Sequence, residues 1–416
     1  MTAHSRRRFL KTMLAGLPAA SFLTKYELMA APEKGRVRIR DVKTMILQGP
    51  RTYTLVKVET DSGLYGIAEA YGSPGAGVRE QVHHLKPLLI GQDALEIDKI
   101  CSVVFERHSD GSAHAMMRAL SGIEMALWDV AGKILGQPVA ILLGGRYRDK
   151  VRMYDHSNPR DWHDRASVRD WAQEAKSHPS GFTGHKFGQK HTAPASDPAR
   201  DAVNRVISPA DLRNIRKGYE NCREAIGWEH DIMVHCHWEY SFRSSVDLAQ
   251  AVEPIKPLFL EDPMPTMYNE GWPKLVTMSN VPICTGENWM RRAEAAPFIV
   301  NNGCDVLNPD LRNSGGFIEN RKMADMADVY FLSMCNHNTG SVVNTMATVQ
   351  WAAAIRNYMV CETVVGKQDW MDDVILHDGP VVKNGFIEVP TKPGLGIELN
   401  PDVVKAHLAA GETWWG

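Results

Sequence analysis

Between Asp231 and Thr363, short apolar runs repeatedly end in side chains that can bind a metal ion or move a proton. IMVHCH ends in His235 and His237, LFLEDP carries Glu261, PICTGE carries Glu287, VLNPD carries Asp310 and FLSMCNH carries His337, and MVCET closes the series at Glu362. His235, Glu261 and Glu287 end consecutive runs. One imidazole and two carboxylates brought together in this way are a candidate divalent-metal site, the alternative being that they only pair with Lys186 and Arg292. Imidazole favours zinc, iron, manganese or nickel more than magnesium, whose preferred ligands are oxygens. Asp310 lies one run before His337, and a neighbouring carboxylate can orient an imidazole and raise its basicity, as a general base requires. Lys186 is a candidate electrophile for a carboxylate or a second acid/base. Glu362, if protonated, could donate to an enolate oxygen. His237 lies two residues beyond His235 in an extended run and so points the same way.

These groups recur every 23–27 residues. Such an interval holds one strand, one helix and two loops. Continuous apolar runs at this spacing are strands buried on both faces and joined by crossover helices. A functional residue at the end of each strand is the arrangement of a (β/α)₈ barrel, whose site forms at the C-terminal face. Val151–Tyr154 and Gly181–Gly188 supply the first two strands. The second interval is about twice the usual length, and its excess, within 189–208, is a polar insertion beside the mouth. Before the barrel, residues 37–150 alternate as three strands of an antiparallel meander and then turn helical, giving an α+β domain. The barrel spans 151–380, and 381–416 is expected to pack back on the first domain. The glycine-rich stretch Tyr71–Gly77 lacks the strand–loop–helix context of a phosphate cradle.

A chain of 416 residues accommodates both domains. Its net charge of −2 gives no electrostatic reason to expect nucleic acid or an acidic membrane as partner. Seven cysteines form neither CxxC pairs nor an even framework, so Cys236, Cys284, Cys335 and Cys361 on the apolar runs are expected to be buried filler. Residues 1–31 differ in kind: Ser5-Arg6-Arg7-Arg8-Phe9-Leu10-Lys11 matches a twin-arginine export signature, followed by a weakly apolar stretch and by small residues at Met29-Ala30-Ala31. This predicts export to the periplasm and no membrane association once the signal is removed.

The order of residues resembles the enolase superfamily, in its mandelate racemase/muconate lactonizing enzyme branch. The resemblance rests on RALSGIEMALWDVAGKILGQPVAILLGG at 118–145, on LFLEDP, TGEN and LNPDLRNSGG, and on the His337 and Glu362 run ends. It implies an α+β capping domain built from the N-terminal region and the C-terminal segment, a modified (β/α)₇β barrel and a homo-oligomer. It also implies one divalent metal, Mg²⁺ by family, with another ion open because of His235. The chemistry implied is removal of the proton α to a carboxylate, with the metal and electrophilic groups stabilising the enediolate.

Two departures narrow this. The family's Lys-x-Lys reads Lys186-Phe187-Gly188, which removes one of two opposed bases and argues against racemisation. The acid-sugar dehydratases of the branch resemble Asp-x-His, which here reads His235-Cys236-His237, so the acid is kept and a ligand is altered. The resulting expectation is a metal-dependent hydro-lyase of sugar-acid catabolism acting on an aldonate or hexonate. His337 is its base, Asp310 orients that base, and His237 is the acid for the leaving hydroxyl. The alternatives are a racemase, epimerase or cycloisomerase of the superfamily, or a degraded relative that binds a carboxylate without turnover. Substrate selection is assigned to residues 47–53, 71–80 and the 189–208 insertion.

Overall fold

The computed structural model describes residues 37–72, 76–108, 113–188, 203–366 and 370–415. The export segment, residues 73–75 of the glycine-rich stretch and most of the 189–208 insertion lie outside the described residues.

The first part is an antiparallel sheet of β1 (Ile39–Gln48), β2 (Thr52–Thr60) and β3 (Tyr65–Ala70), in that order. Helices α1 (Ala76–Leu89), α2 (Ile97–His108) and α3 (Ala113–Leu135) follow, and α3 packs along β3. The short α4 (Val139–Leu142) leads into the barrel.

The barrel strands and helices alternate: β4 (Lys150–Tyr154), α5 (Arg165–Ser177), β5 (Gly184–Phe187), α6 (Pro209–Ile226), β6 (Asp231–His235), α7 (Phe242–Val252), β7 (Leu260–Glu261), α8 (Gly271–Met278), β8 (Ile283–Thr285) and α9 (Arg291–Val300). They continue with β9 (Val306–Leu307), α10 (Leu311–Ser314), α11 (Gly316–Val329), β10 (Ser333–Asn336), α12 (Val342–Ala354) and β11 (Tyr358–Glu362). Neighbouring strands from β5 to β11 pair in parallel, and β11 pairs in parallel with β4. The ring closes at a parallel bridge of Asp155 with His185, where the Lys186 N–H donates to the Asp155 carbonyl at 2.8 Å. The result is the expected capping sheet before a modified (β/α)₇β barrel.

Side-chain polarity at the helix starts explains where these helices begin. Asp164, Ser208, Ser241, Asp310 and Ser341 each accept a first-turn backbone N–H. Not all of the C-terminal segment returns to the cap. Strand β12 (Phe386–Glu388) pairs antiparallel with β4. From Leu395, whose N–H donates to Asp129 of α3, the chain does return, and beyond α13 (Pro401–Ala406) it pairs with β1 through Gln48 and Ile46.

Inside the barrel, Tyr154, Met233, Phe259, Cys284, Val306, Cys335 and Val360 form one buried apolar layer. Extended backbone repeats its facing every two residues. The residues two positions further on therefore also face inward, one layer nearer the mouth: His156, His235, Glu261, Asn308, His337 and Glu362.

Candidate active site

Lys186 stands at the centre of the upper layer, its ammonium fully buried, donating to Glu261 Oε1 at 2.8 Å and lying 2.9 Å from Glu362 Oε1. Burial works against its charge, but Glu261 and Glu362 outweigh that and push its pKa upward, so it is a fixed cation at neutral pH. Glu261 also accepts from Asn308 Nδ2 at 2.5 Å, and its Oε2 lies 2.5 Å from His235 Nδ1. Burial opposes ionisation of Glu261, yet Lys186 and His235 hold its pKa down to about 2. The alternative pairing of these carboxylates with Arg292 does not form, because Arg292 turns outward to Glu319 of α11.

His235, Glu261 and Glu287 lie at the ends of β6, β7 and β8, with Glu287 two residues past its strand across Gly286. As the side chains stand, His235 and Glu261 satisfy one another, and no three His, Cys, Asp or Glu among the described residues close around a point as a metal cage. The donors nevertheless suit a divalent cation. Glu287 is buried, and among the described residues its carboxylate is paired with the His337 ring alone, at 3.7 Å. Burial raises the Glu287 pKa, and Glu261 and Glu362 add to that rise against the attraction of His337 and Lys186. A buried carboxylate short of donors beside two others favours a cation.

The Nδ1 atom of His337 lies 2.8 Å from Asp310 Oδ2, while Arg312 donates to both oxygens of Asp310 through Nε at 3.0 Å and Nη2 at 2.7 Å. Burial resists the Asp310 charge, but Arg312 and His337 keep its pKa at about 2. Burial also disfavours imidazolium at His337, and Glu287, Glu362 and Asp310 overturn this and lift its pKa to about 9. Neutralising Glu287 removes the largest of those attractions and returns the ring towards the range in which it accepts a proton.

Across the ring, His237 follows β6, four strands from β10. Its Nδ1 lies 3.2 Å from His235 Nε2, with the two rings nearly perpendicular at 84°. Behind it, Trp238 bonds Asp262.

Glu362 departs from the expected protonated donor. Burial favours the acid form, but Lys186, His156 and His337 hold its pKa well below the usual range, and Glu362 accepts from the Asn338 N–H at 2.8 Å. His156, Asn308, Arg312 and Glu69 join the site although none was singled out from the sequence. His156 bonds Glu362, and Glu69 of β3 accepts from Arg312 Nη1 at 2.7 Å. The alternation that gives Met233 then His235 also gives Tyr154 then His156 and Val306 then Asn308, so two of the four were within reach of that pattern. At Gly188, a Cβ would lie 2.1 Å from the His235 carbonyl oxygen. No side chain fits there without moving the β6 backbone, so that face has no base at the position.

Residues 37–144 match the mandelate racemase/muconate lactonizing enzyme N-terminal domain, and residues 168–403 match the enolase C-terminal domain-like family. Over 392 residues the chain is 36% identical to a D-xylonate dehydratase of Haloferax volcanii, covering 91% of this chain and 92% of that protein. It is 31% identical to a D-galactonate dehydratase of Verminephrobacter eiseniae over 85% of this chain and 91% of that one. A crystal structure of a mandelate racemase/muconate lactonizing enzyme-like protein from Rubrobacter xylanophilus superposes with a TM-score of 0.84 at 29% identity, over 91% of this chain and 99% of that chain.

Proposed function

Because this chain belongs to the mandelate racemase/muconate lactonizing enzyme family of the enolase superfamily, we propose that it removes water from a sugar acid, beginning with the proton α to the carboxylate. Dehydratases acting on D-xylonate and D-galactonate among its relatives support the hydro-lyase reaction and the substrate class. The single observation that carries the assignment of roles is the His337–Asp310 contact of 2.8 Å facing, across the ring, a second imidazole at His237. His337 takes the α-proton, and Asp310 holds the ring with Nε2 towards the mouth. Lys186 places a permanent positive charge where the substrate carboxylate gains electron density, and a preorganised charge of this kind can exceed any acid–base contribution. His237 then gives a proton to the β-hydroxyl, water leaves, and the enol collapses to a 2-keto acid.

His235, Glu261 and Glu287 would hold a divalent ion, Mg²⁺ by family, which when bound supplies further charge against the developing enediolate. The absence of room for a side chain at Gly188 disfavours racemisation, which needs a proton donor on each face.

The test is a panel of sugar acids that includes D-xylonate and D-galactonate, assayed for 2-keto product. His337→Asn should lower kcat by roughly 10²–10⁴-fold, the general-base range. His237→Asn should block loss of water while still exchanging the α-proton with solvent deuterium. Full activity of the His337 variant would remove it as the base.

Export by the twin-arginine route is a further part of the proposal. Replacing Arg6 and Arg7 with Lys should strand the precursor in the cytoplasm, and normal delivery of that variant would refute it.

A further inference from the structure

Glu69 is a carboxylate inside an apolar strand of the capping sheet, 1% exposed, and its side chain is hydrogen-bonded to Arg312 and Ser341 of the barrel. Its Oε1 accepts from Arg312 Nη1 at 2.7 Å. Its Oε2 accepts from the Ser341 backbone N–H at 2.8 Å and from the Ser341 hydroxyl at 2.5 Å. Arg312 is the guanidinium that fixes both oxygens of Asp310, and Ser341 caps α12 four residues beyond His337. One carboxylate from the cap therefore grips both flanks of the loop that carries His337: one through Arg312 and Asp310, the other directly at Ser341. The fit leaves no slack. A Cβ added at Gly340, within that loop, would lie 2.7 Å from Arg312 Nη1 and 2.8 Å from Glu69 Oε1. Tyr71, two residues beyond Glu69, lies over the same guanidinium at 4.8 Å.

We propose that Glu69 is a positioning residue for His337, acting through Arg312–Asp310 and through Ser341, so that the capping sheet and the barrel must be docked for the base to be aligned. A buried carboxylate is costly unless its partners are fixed, and here the partners are Arg312, which holds Asp310 against His337, and Ser341 at the far end of the base loop. Without Glu69, Arg312 keeps Asp310 but loses the anchor that sets its own rotamer, and the imidazole drifts from the α-proton. Displacements of about 1 Å at a catalytic group can cost roughly 10²-fold.

The inference rests on His337 being the base, and its test separates the two ideas. Glu69→Gln keeps the shape of the side chain and removes its charge. Expected is a fall in kcat of roughly 10- to 100-fold with KM changed by less than about twofold. The rate of α-proton exchange should fall in parallel. In the His337→Asn background the same substitution should have no further effect, because there is no base left to align. Arg312→Lys, which keeps the charge but not the planar fork, should show the same pattern and serves if Glu69→Gln fails to fold. An unchanged kcat, or an equal loss with and without His337, would overturn the positioning role and leave the base intact. Full activity of His337→Asn alone would instead overturn the base assignment, and the positioning role with it.

Discussion

Trp238 and Asp262 both adopt left-handed backbone, φ 59° and 45°, and meet at the ends of adjacent strands. The Trp238 N–H donates to the Asp262 carbonyl at 2.9 Å, and its indole N–H donates to Asp262 Oδ2 at 3.2 Å. Non-glycine residues in this region cost of order 1 kcal/mol or more each, and such strain persists only where the surroundings impose it. Here it turns the chain directly after His237 on one strand and directly after Glu261 on the other.

Trp238→Phe removes the indole donor and part of the ring area while keeping an aromatic side chain, and so tests what that turn does for His237. Burial, then Glu287 and Glu261, push the Asp262 pKa well up, so the bond is worth about 0.5–1.5 kcal/mol, and a drop of roughly 2- to 10-fold in the dehydration rate is expected. Exchange of the α-proton with solvent should stay near wild type, because it precedes the step assigned to His237. A variant that slows both steps equally would show that the turn supports the whole fold and not His237 in particular.

A second prediction concerns His235→Asp. With no ion, the new carboxylate faces Glu261, whose nearest oxygen lies 2.5 Å from the present imidazole, so the variant should melt lower than wild type in chelator. With Mg²⁺ the order should reverse, because a third hard oxygen and one more negative charge strengthen binding. Thermal shift against Mg²⁺ concentration reads both effects without a substrate. If the Asp variant gains no more from Mg²⁺ than wild type does, His235 is not a ligand.

How much of this was readable in advance depends on whether the signal was local. The strand ends were, because a buried strand followed by a charged residue repeats in sequence as it does in space. Lys186, His235, Glu261, His337 and Glu362 accordingly lie on the upper layer. Glu69 was not readable as a site residue, since its partners are 243 and 272 positions away and only the docking of cap on barrel joins them. The charge state of Glu362 was hidden for a related reason. It depends on Lys186 reaching across β4 and on His156, neither of which a pattern along β11 can report. Arg292 had the right charge and the right neighbourhood, but the competing carboxylate of Glu319 lies on the next helical layer.

Away from the site, His230 should set an acid limit on stability. Burial, then His185, Lys176 and Arg152, lower its pKa to about 4, against the weaker attraction of Asp231. The unfolded chain takes up this proton near pH 6.5, whereas the folded protein resists it until about 4. The unfolded state therefore binds more protons between these values, and stability falls as pH drops from about 6.5 to 4. His230→Asn should flatten that part of the melting-temperature profile relative to wild type. An unchanged slope would place the acid sensitivity in other groups.

The strongest stability effect is expected at Lys186, and its pH dependence should run in the opposite direction. Its ammonium lies between Glu261 and Glu362, with all three side chains out of contact with solvent. Replacing it with Met keeps the volume but leaves two buried carboxylates facing one another without their cation. Breaking a buried pair from one side costs about 3–5 kcal/mol. In the variant, burial and mutual repulsion act on both carboxylates unopposed by Lys186, so their folded pKa values rise relative to wild type, although His235, His156 and His337 still favour the ionised forms. A raised carboxylate pKa gives stability that is present at low pH and lost as pH climbs through the folded value. Lys186→Met should therefore be most destabilised, relative to wild type, at neutral and higher pH, and should recover part of the difference near pH 5. Adding Glu362→Gln should restore part of the loss at pH 7, because it removes one of the two stranded charges. If the variant melts within a degree of wild type at pH 7, the ammonium is not what holds these carboxylates together.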